Sequence, residues 1–145
     1  TMTRSMLVTV LWRVEGELTV NRTAPFADVS AGTWYTDAVA WANVTGIVNG
    51  TNATTFDPDG SVTREQIATI LYRYAKTKSW DISGASSLGS FPDGAQVSDW
   101  AARAMEWTYA EGLITGKDGS RLDPQGQASR AEVATILMRF LESRP

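Results

Sequence analysis

Val62-Thr63-Arg64-Glu65-Gln66-Ile67-Ala68-Thr69-Ile70-Leu71-Tyr72-Arg73-Tyr74 is the stretch on which the fold turns. Ile67, Ile70, Leu71 and Tyr74 fall at i, i+3, i+4 and i+7, the one-sided stripe of an amphipathic helix. Thr63, followed three residues later by Gln66, forms a capping box at the helix start. Such a helix runs about 13 residues, or roughly 20 Å. One stripe cannot bury itself, so it requires partners.

The sequence supplies those partners as copies of itself. Ala128-Ser129-Arg130-Ala131-Glu132-Val133-Ala134-Thr135-Ile136-Leu137-Met138-Arg139-Phe140 aligns without a gap. So does Met2-Thr3-Arg4-Ser5-Met6-Leu7-Val8-Thr9-Val10-Leu11-Trp12-Arg13-Val14. Val133, Ile136, Leu137 and Phe140 repeat the stripe, as do Leu7, Val10, Leu11 and Val14. Ser129 with Glu132 repeats the capping box. Met6 occupies the place of Gln66, so the first box is predicted to be incomplete. Three equivalent stripes can meet as a three-helix core.

Working outward, the segment before each helix recurs twice. Phe26-Ala27-Asp28 returns as Phe91-Pro92-Asp93, Trp34 as Trp100, and Ala38-Val39-Ala40-Trp41 as Ala104-Met105-Glu106-Trp107. Gly46-Ile47-Val48-Asn49-Gly50 returns as Gly112-Leu113-Ile114-Thr115-Gly116, and Phe56-Asp57-Pro58-Asp59-Gly60 as Leu122-Asp123-Pro124-Gln125-Gly126. These front halves predict a shorter helix over about Thr36–Thr45, with Ala38, Trp41, Ala42 and Thr45 on one side. Gly46 and Gly112 are placed to end their helices in the left-handed conformation, with Ile47 and Leu113 as the apolar contact after the cap. Asp57-Pro58-Asp59-Gly60 is turn chemistry. The organisation read from this is the back half of one repeat over 1–16, whole repeats over 26–76 and 91–142, and linkers over 17–25 and 77–90. The abrupt opening at Thr1 reads as that of a fragment.

Composition excludes several functions. The chain has 145 residues, 43% of them apolar, and a net charge of −3. No basic field is present to attract nucleic acid or an anionic membrane. Without Cys or His there is no thiol nucleophile, no imidazole base and none of the usual zinc or copper ligands. No apolar run approaches the roughly 20 residues that span a bilayer. Calcium at Asp57-Pro58-Asp59-Gly60 would need a Glu at the twelfth position of the loop, where Ala68 stands. No cofactor or metal is expected.

The ordered motifs resemble those of the S-layer homology (SLH) family. The family pattern F-x-D-V, W-Y, G-I-[IV]-x-G, F-x-P and [VI]-T-R-[AE]-[EQ] reads here as Phe26-Ala27-Asp28-Val29, Trp34-Tyr35, Gly46-Ile47-Val48-Asn49-Gly50, Phe56-Asp57-Pro58 and Val62-Thr63-Arg64-Glu65-Gln66. The third copy departs from it: Gly94 stands in the place of Val29, Ser129 replaces Thr, and one residue is inserted before Trp100. The resemblance implies an all-α fold in which three Thr-Arg helices form a central bundle and the front halves form prongs. It also implies export to the bacterial cell surface. Secondary cell-wall polysaccharide, often carrying a pyruvate ketal, would bind in grooves between repeats. This chain supplies three core helices and two prongs, so another SLH chain is a possible source of the missing one.

Arg4, Arg64 and Arg130 each stand in the first turn of a helix. A cation there opposes the helix dipole by ~0.3–1 kcal/mol. Their recurrence suggests another duty. A guanidinium fork matches a carboxylate, and free N–H groups at the helix start also favour an anion. A pyruvate ketal would suit both. The alternative is a structural salt bridge, for instance to Asp28 or Asp93. Trp34 and Trp100 could stack on sugar rings or pack inside the prong, whereas Trp41 and Trp107 read as core. Gly50 and Gly116 fit either a tight turn or close approach of backbone to a glycan. Asp28 and Asp93 could accept bonds from sugar hydroxyls or cap the following turn.

No acidic pair stands apart from the repeat, so the chain reads as a non-catalytic anchor rather than a glycosidase. The alternative function is a protein–protein or self-assembly module of a surface layer. Because a helix-start arginine is not read as core, Arg64→Ala is expected to weaken glycan binding with little loss of stability.

Overall fold

A computed structural model describes residues 2–52, 54–116 and 121–143. Those residues form five α-helices and no β-strand. The helices are α1 (Arg4–Val14), α2 (Thr36–Val44), α3 (Arg64–Thr77), α4 (Ala102–Ala110) and α5 (Arg130–Ser143). Two short 3₁₀ turns, Gly94–Gln96 and Asp99–Ala101, precede α4. The fold is all-α, as the periodicity predicts.

The chain forms two compact units, one of Met2–Val62 and one beginning at Thr63. The division falls inside the 26–76 repeat, between its front half and its Thr-Arg helix. Each unit therefore joins the Thr-Arg helix of one repeat to the front half of the next.

In the N-terminal unit α1 packs on α2. Leu7, Val8 and Leu11 are fully buried, while Val14 at the end of the expected stripe is exposed. Val8, outside that stripe, takes part because α1 is covered on a broader face than one row of side chains. Phe26 and Phe56 stack at 5.5 Å across the loops that flank α2. Burying each ring stabilises the unit by about 1.5–3 kcal/mol. The end of α2 follows the sequence closely. Gly46 has φ +82°, its N–H reaches Asn43 O at 3.1 Å, and Ile47 N–H reaches Ala42 O at 2.9 Å. This is the paired bonding of a glycine-capped helix end. Thr45 is exposed and lies beyond the helix.

In the C-terminal unit α3 packs on α4 and on the 3₁₀ turn before it. Gly112 (φ +71°) ends α4 with the same pair of bonds, to Tyr109 O and Thr108 O. Tyr74 of α3 meets Phe140 of α5 at 5.6 Å. Trp80 closes the cluster, at 5.7 Å from Tyr74 and 5.5 Å from Phe140. Residues 77–90, expected as a linker, thus set the half-buried Trp80 against this cluster. They also run along α4, where Arg103 donates to Gly84 O and Ile82 O. The Gly94 departure has a steric cause: a Cβ there would lie 2.3 Å from Leu88 O.

All three Thr-Arg helices begin with reciprocal caps. Thr63 Oγ1 accepts from Gln66 N–H, and Gln66 Oε1 accepts from Thr63 N–H. Ser129 and Glu132 do the same. The first box, predicted to be incomplete, is complete: Thr3 Oγ1 accepts from Met6 N–H and the Met6 sulfur accepts from Thr3 N–H at 3.4 Å. A thioether is a weak acceptor on a flexible stem, so it reaches where no polar side chain is available.

Candidate functional site

The Asp-Pro-x-Gly turn sits against the start of a Thr-Arg helix in both units. In the first, Arg4 N–H and Ser5 N–H donate to Gly60 O and Pro58 O at 2.9 and 3.1 Å. In the second, Arg64 N–H and Glu65 N–H donate to Gly126 O and Pro124 O at 3.0 and 2.9 Å. The turn is tight: a Cβ on Gly60 or Gly126 would fall within 2.2 Å of the Asp57 or Asp123 carboxylate, which would have to move aside. The free N–H groups expected to receive an anion at α1 and α3 are therefore already occupied by carbonyls.

Each arginine then grips the residue before the turn. Arg4 Nε donates to Phe56 O at 2.8 Å, and its guanidinium lies 4.9 Å from the centre of the Phe56 ring. Arg64 Nε donates to Leu122 O at 2.7 Å. The aspartates hold the same residues from the other side. Asp28 accepts from Phe56 N–H (2.9 Å) and Asp57 N–H (2.8 Å). Asp93 accepts from Leu122 N–H (3.0 Å) and Asp123 N–H (2.8 Å). Arginine and aspartate converge on one peptide rather than on each other. Neither of the salt bridges suggested for Asp28 and Asp93 is made; both aspartates cap the loop instead.

Electrostatics follow this geometry. Burial on its own would raise the Asp28 pKa, but the two backbone N–H groups and the nearby Arg4 charge outweigh it and hold it below the ordinary value. Asp93 behaves alike: burial opposes, while the N–H groups of Leu122 and Asp123 and the charge of Arg121 prevail. Burial pulls the Arg4 pKa down, against the opposing charges of Asp57 and Asp28.

Arg64 is more heavily committed than Arg4. It is only 5% exposed. Nη1 donates to Glu132 Oε2 at 3.1 Å in an ion pair, and Nη2 donates to Thr115 O at 2.8 Å. The expectation that this arginine is not core is thus overturned. Three of its nitrogens are bonded, because a polar group enclosed by a folded loop must be satisfied internally. Glu132 was missed as its partner, since the sequence assigned that residue only to the capping box. Glu65 was missed as well. It is 3% exposed and accepts from Ser98 N–H, Ser98 Oγ and Gln125 Nε2, tying the 3₁₀ region to α3.

A cleft of about 400 Å³ opens beside this clamp, lined by Arg64, Thr115, Gly116, Ala131, Glu132, Thr135 and Arg139. Of the candidates it brings together Arg64 and Gly116. Asp93 is not among its lining residues and holds Leu122. Arg130 is exposed at the start of α5 and does not line the cleft. Arg4, Asp28, Trp34 and Gly50 belong to the other unit. Gly50 is a structural turn: at φ +79° its Cβ would lie 2.5 Å from Thr55 O and from the Phe26 ring. Trp34 and Trp100 are 58% and 57% exposed, so packing inside the prong is not their role. Trp41 and Trp107 are buried, as read from the helix face.

Comparison with known proteins accords with this arrangement. The family profile described as S-layer homology domain matches residues 25–68 and 90–134. The chain is 32% identical over 130 residues to the "Surface-layer 125 kDa protein" of Lysinibacillus sphaericus, covering 88% of this chain and 11% of that protein. It is 34% identical over 118 residues to "Exoglucanase XynX" of Acetivibrio thermocellus, covering 81% of the chain and 11% of the enzyme. It is 27% identical over 133 residues to the "Cellulosome-anchoring protein" of the same species, covering 86% and 28%. The chain spans between 5% and 28% of the length of the curated relatives it matches. With two matched repeats extending over more than half of its length, the chain belongs to the S-layer homology domain family.

Proposed function

We propose that the chain is a non-catalytic anchor that binds secondary cell-wall polysaccharide, with a pyruvate ketal as the recognised anionic substituent. SLH domains anchor surface proteins to the cell wall, and the family places the chain at the bacterial cell surface. No helix among the described residues is long and apolar enough to cross a membrane. The observation that carries the finer reading is the cleft beside Arg64, which unites a cation, a carboxylate, hydroxyl and backbone groups, and Gly116. Its volume falls in the range of small-molecule sites. The exposed Trp34 and Trp100 add faces on which a sugar ring can stack. The matched enzymes share with this chain only a small part of their length, which fits an appended module rather than a catalytic one.

The test is calorimetric titration with purified wall polysaccharide, before and after chemical removal of its ketal pyruvate. Binding that vanishes with the pyruvate supports the reading. Equal binding of both forms removes the ketal from it, and binding of neither removes the glycan.

One observation favours a second reading, that another SLH chain docks here. The first two N–H groups of α1 and α3 are taken by turn carbonyls. Those of Arg130 and Ala131 in α5 have no acceptor among the described residues, and Arg130 is exposed. An Asp-Pro-x-Gly turn from a second copy would fit by the same bonds. Sedimentation equilibrium of wild type and Arg130→Ala tests it: a dimer weakened by the substitution supports docking, and a monomer at all concentrations rejects it.

A further inference from the structure

We infer that Arg139 is the residue in the cleft that takes the ligand's anionic group, and that Arg64 is a positioning residue that holds the cleft wall. This rests on the glycan-binding reading and assigns its specificity to residues that the motif does not contain.

The inference begins with charge. Arg64 and Glu132 form an ion pair, so together they add no net charge to the cleft. Three of the five Arg64 N–H groups already donate to protein oxygens, so its fork is less available to a ligand than that of an unpaired arginine. Arg139 lines the same cleft. It is half-buried and has no hydrogen bond or ion pair among the described residues. The described lining therefore carries one unbalanced positive charge, and it resides on Arg139. An unpaired guanidinium keeps its five donors available for planar recognition of a carboxylate.

Helix geometry sets the rest of the ligand. Glu132, Thr135 and Arg139 lie along one side of α5. Thr135 is four residues from Arg139, or about 6 Å along the axis, and Glu132 is about 10.5 Å away. The Thr135 hydroxyl donates to Ala131 O, so its lone pairs face outward as acceptors. Glu132 likewise presents only acceptor oxygens. Such a site wants one anionic group at the Arg139 end and hydroxyl donors about a sugar ring's width away. A sugar bearing one carboxylate, such as the pyruvate ketal of the proposed function, would meet both demands. A neutral glycan would not engage the Arg139 charge, which a single carboxylate balances.

The experiment uses the whole chain and two probes. The first is a methyl hexoside carrying a 4,6-pyruvate ketal, followed by the NMR signals of the arginine Nε–H groups. The second is purified wall polysaccharide, followed by calorimetry. Wild type is compared with Arg139→Gln and Arg139→Lys, with melting temperature recorded for each. The expected result is that the ketal shifts the Arg139 signal. Arg139→Gln should weaken ketal binding at least tenfold at an unchanged melting temperature, and Arg139→Lys should restore part of it. If the hexoside behaves so while the polysaccharide does not bind, the assignment stands and the wall-polymer reading falls. If the polysaccharide binds wild type and Arg139→Gln equally, the reading stands and the assignment is overturned. If neither probe binds, both fall.

Discussion

In the N-terminal unit the helix-start arginine donates one side-chain bond to a carbonyl and rests on a phenyl ring. In the C-terminal unit its counterpart donates three, one of them to a carboxylate. The backbone frame is the same in both: two helix N–H groups on the turn carbonyls, and an aspartate on the two following N–H groups. The difference lies in the neighbours. Glu132 balances Arg64, whereas Arg4 forms no ion pair among the described residues. Phe56 offers Arg4 a ring face where Leu122 offers Arg64 none. A repeated motif therefore fixes the clamp, and the variable positions beside it decide how much charge the clamp retains.

The largest expected effect breaks the second clamp. Arg64→Ala leaves Glu132 and two carbonyls without their donor and should cost about 3–5 kcal/mol in urea unfolding. Arg4→Ala removes one carbonyl bond and a ring contact and should cost about 1.5–3 kcal/mol. Equal losses in the two variants would show that the Glu132 pair adds nothing net to Arg64.

The aspartates sharpen the same comparison at smaller scale. Asp93 is buried and Asp28 is at the surface. Asp93→Ala should therefore cost about 2–3 kcal/mol, because it strands buried N–H groups, and Asp28→Ala about 1 kcal/mol, because water replaces its bonds. Calorimetric melting of the two variants would order them.

Acid titration tests both sites together. The folded pKa of each aspartate lies below its ordinary value. Their contribution is thus fully present above the unfolded value near ~3.9, and is lost as pH falls through the lower folded values. Melting temperature should drop between about pH 4 and pH 2. The double variant Asp28→Asn, Asp93→Asn should show a shallower drop over that range. A slope unchanged by the double substitution would assign acid sensitivity to other carboxylates.

The smallest effect concerns the caps. Met6→Gln would give α1 the amide acceptor that α3 has in Gln66, and should stabilise the N-terminal unit by about 0.5 kcal/mol. A loss instead would mean that the Met6 stem contributes more by packing than its sulfur does by capping.

Much of the fold was legible. The stripes of α3 and α5, the glycine-ended helices α2 and α4, and the Asp-Pro-x-Gly turns all followed from local chemistry with local consequences. The Ser- and Gly-rich composition of 77–90 does not reveal that the half-buried Trp80 packs on Tyr74 and Phe140, which arrive from other elements. At the site, Arg64 and Gly116 are the two of the nine candidate residues that line the cleft. Arg64 was misjudged as peripheral because helix position says nothing about which loop folds over it. Arg139 went unremarked because an arginine within an apolar stripe reads as a solvated flank until a cleft forms in front of it.

The sequence by itself determined the helices, their ends and the repeat, because these depend on residues within about four positions of each other. Family membership was legible for the same reason, since its motifs are local and ordered. Only the tertiary structure decided that a packing unit joins the helix of one repeat to the front half of the next, with Arg64 meeting Leu122 and Glu132. Those contacts span more than fifty residues of chain. No periodicity encodes them, because burial and hydrogen-bond satisfaction are settled only once the loop has closed over the helix.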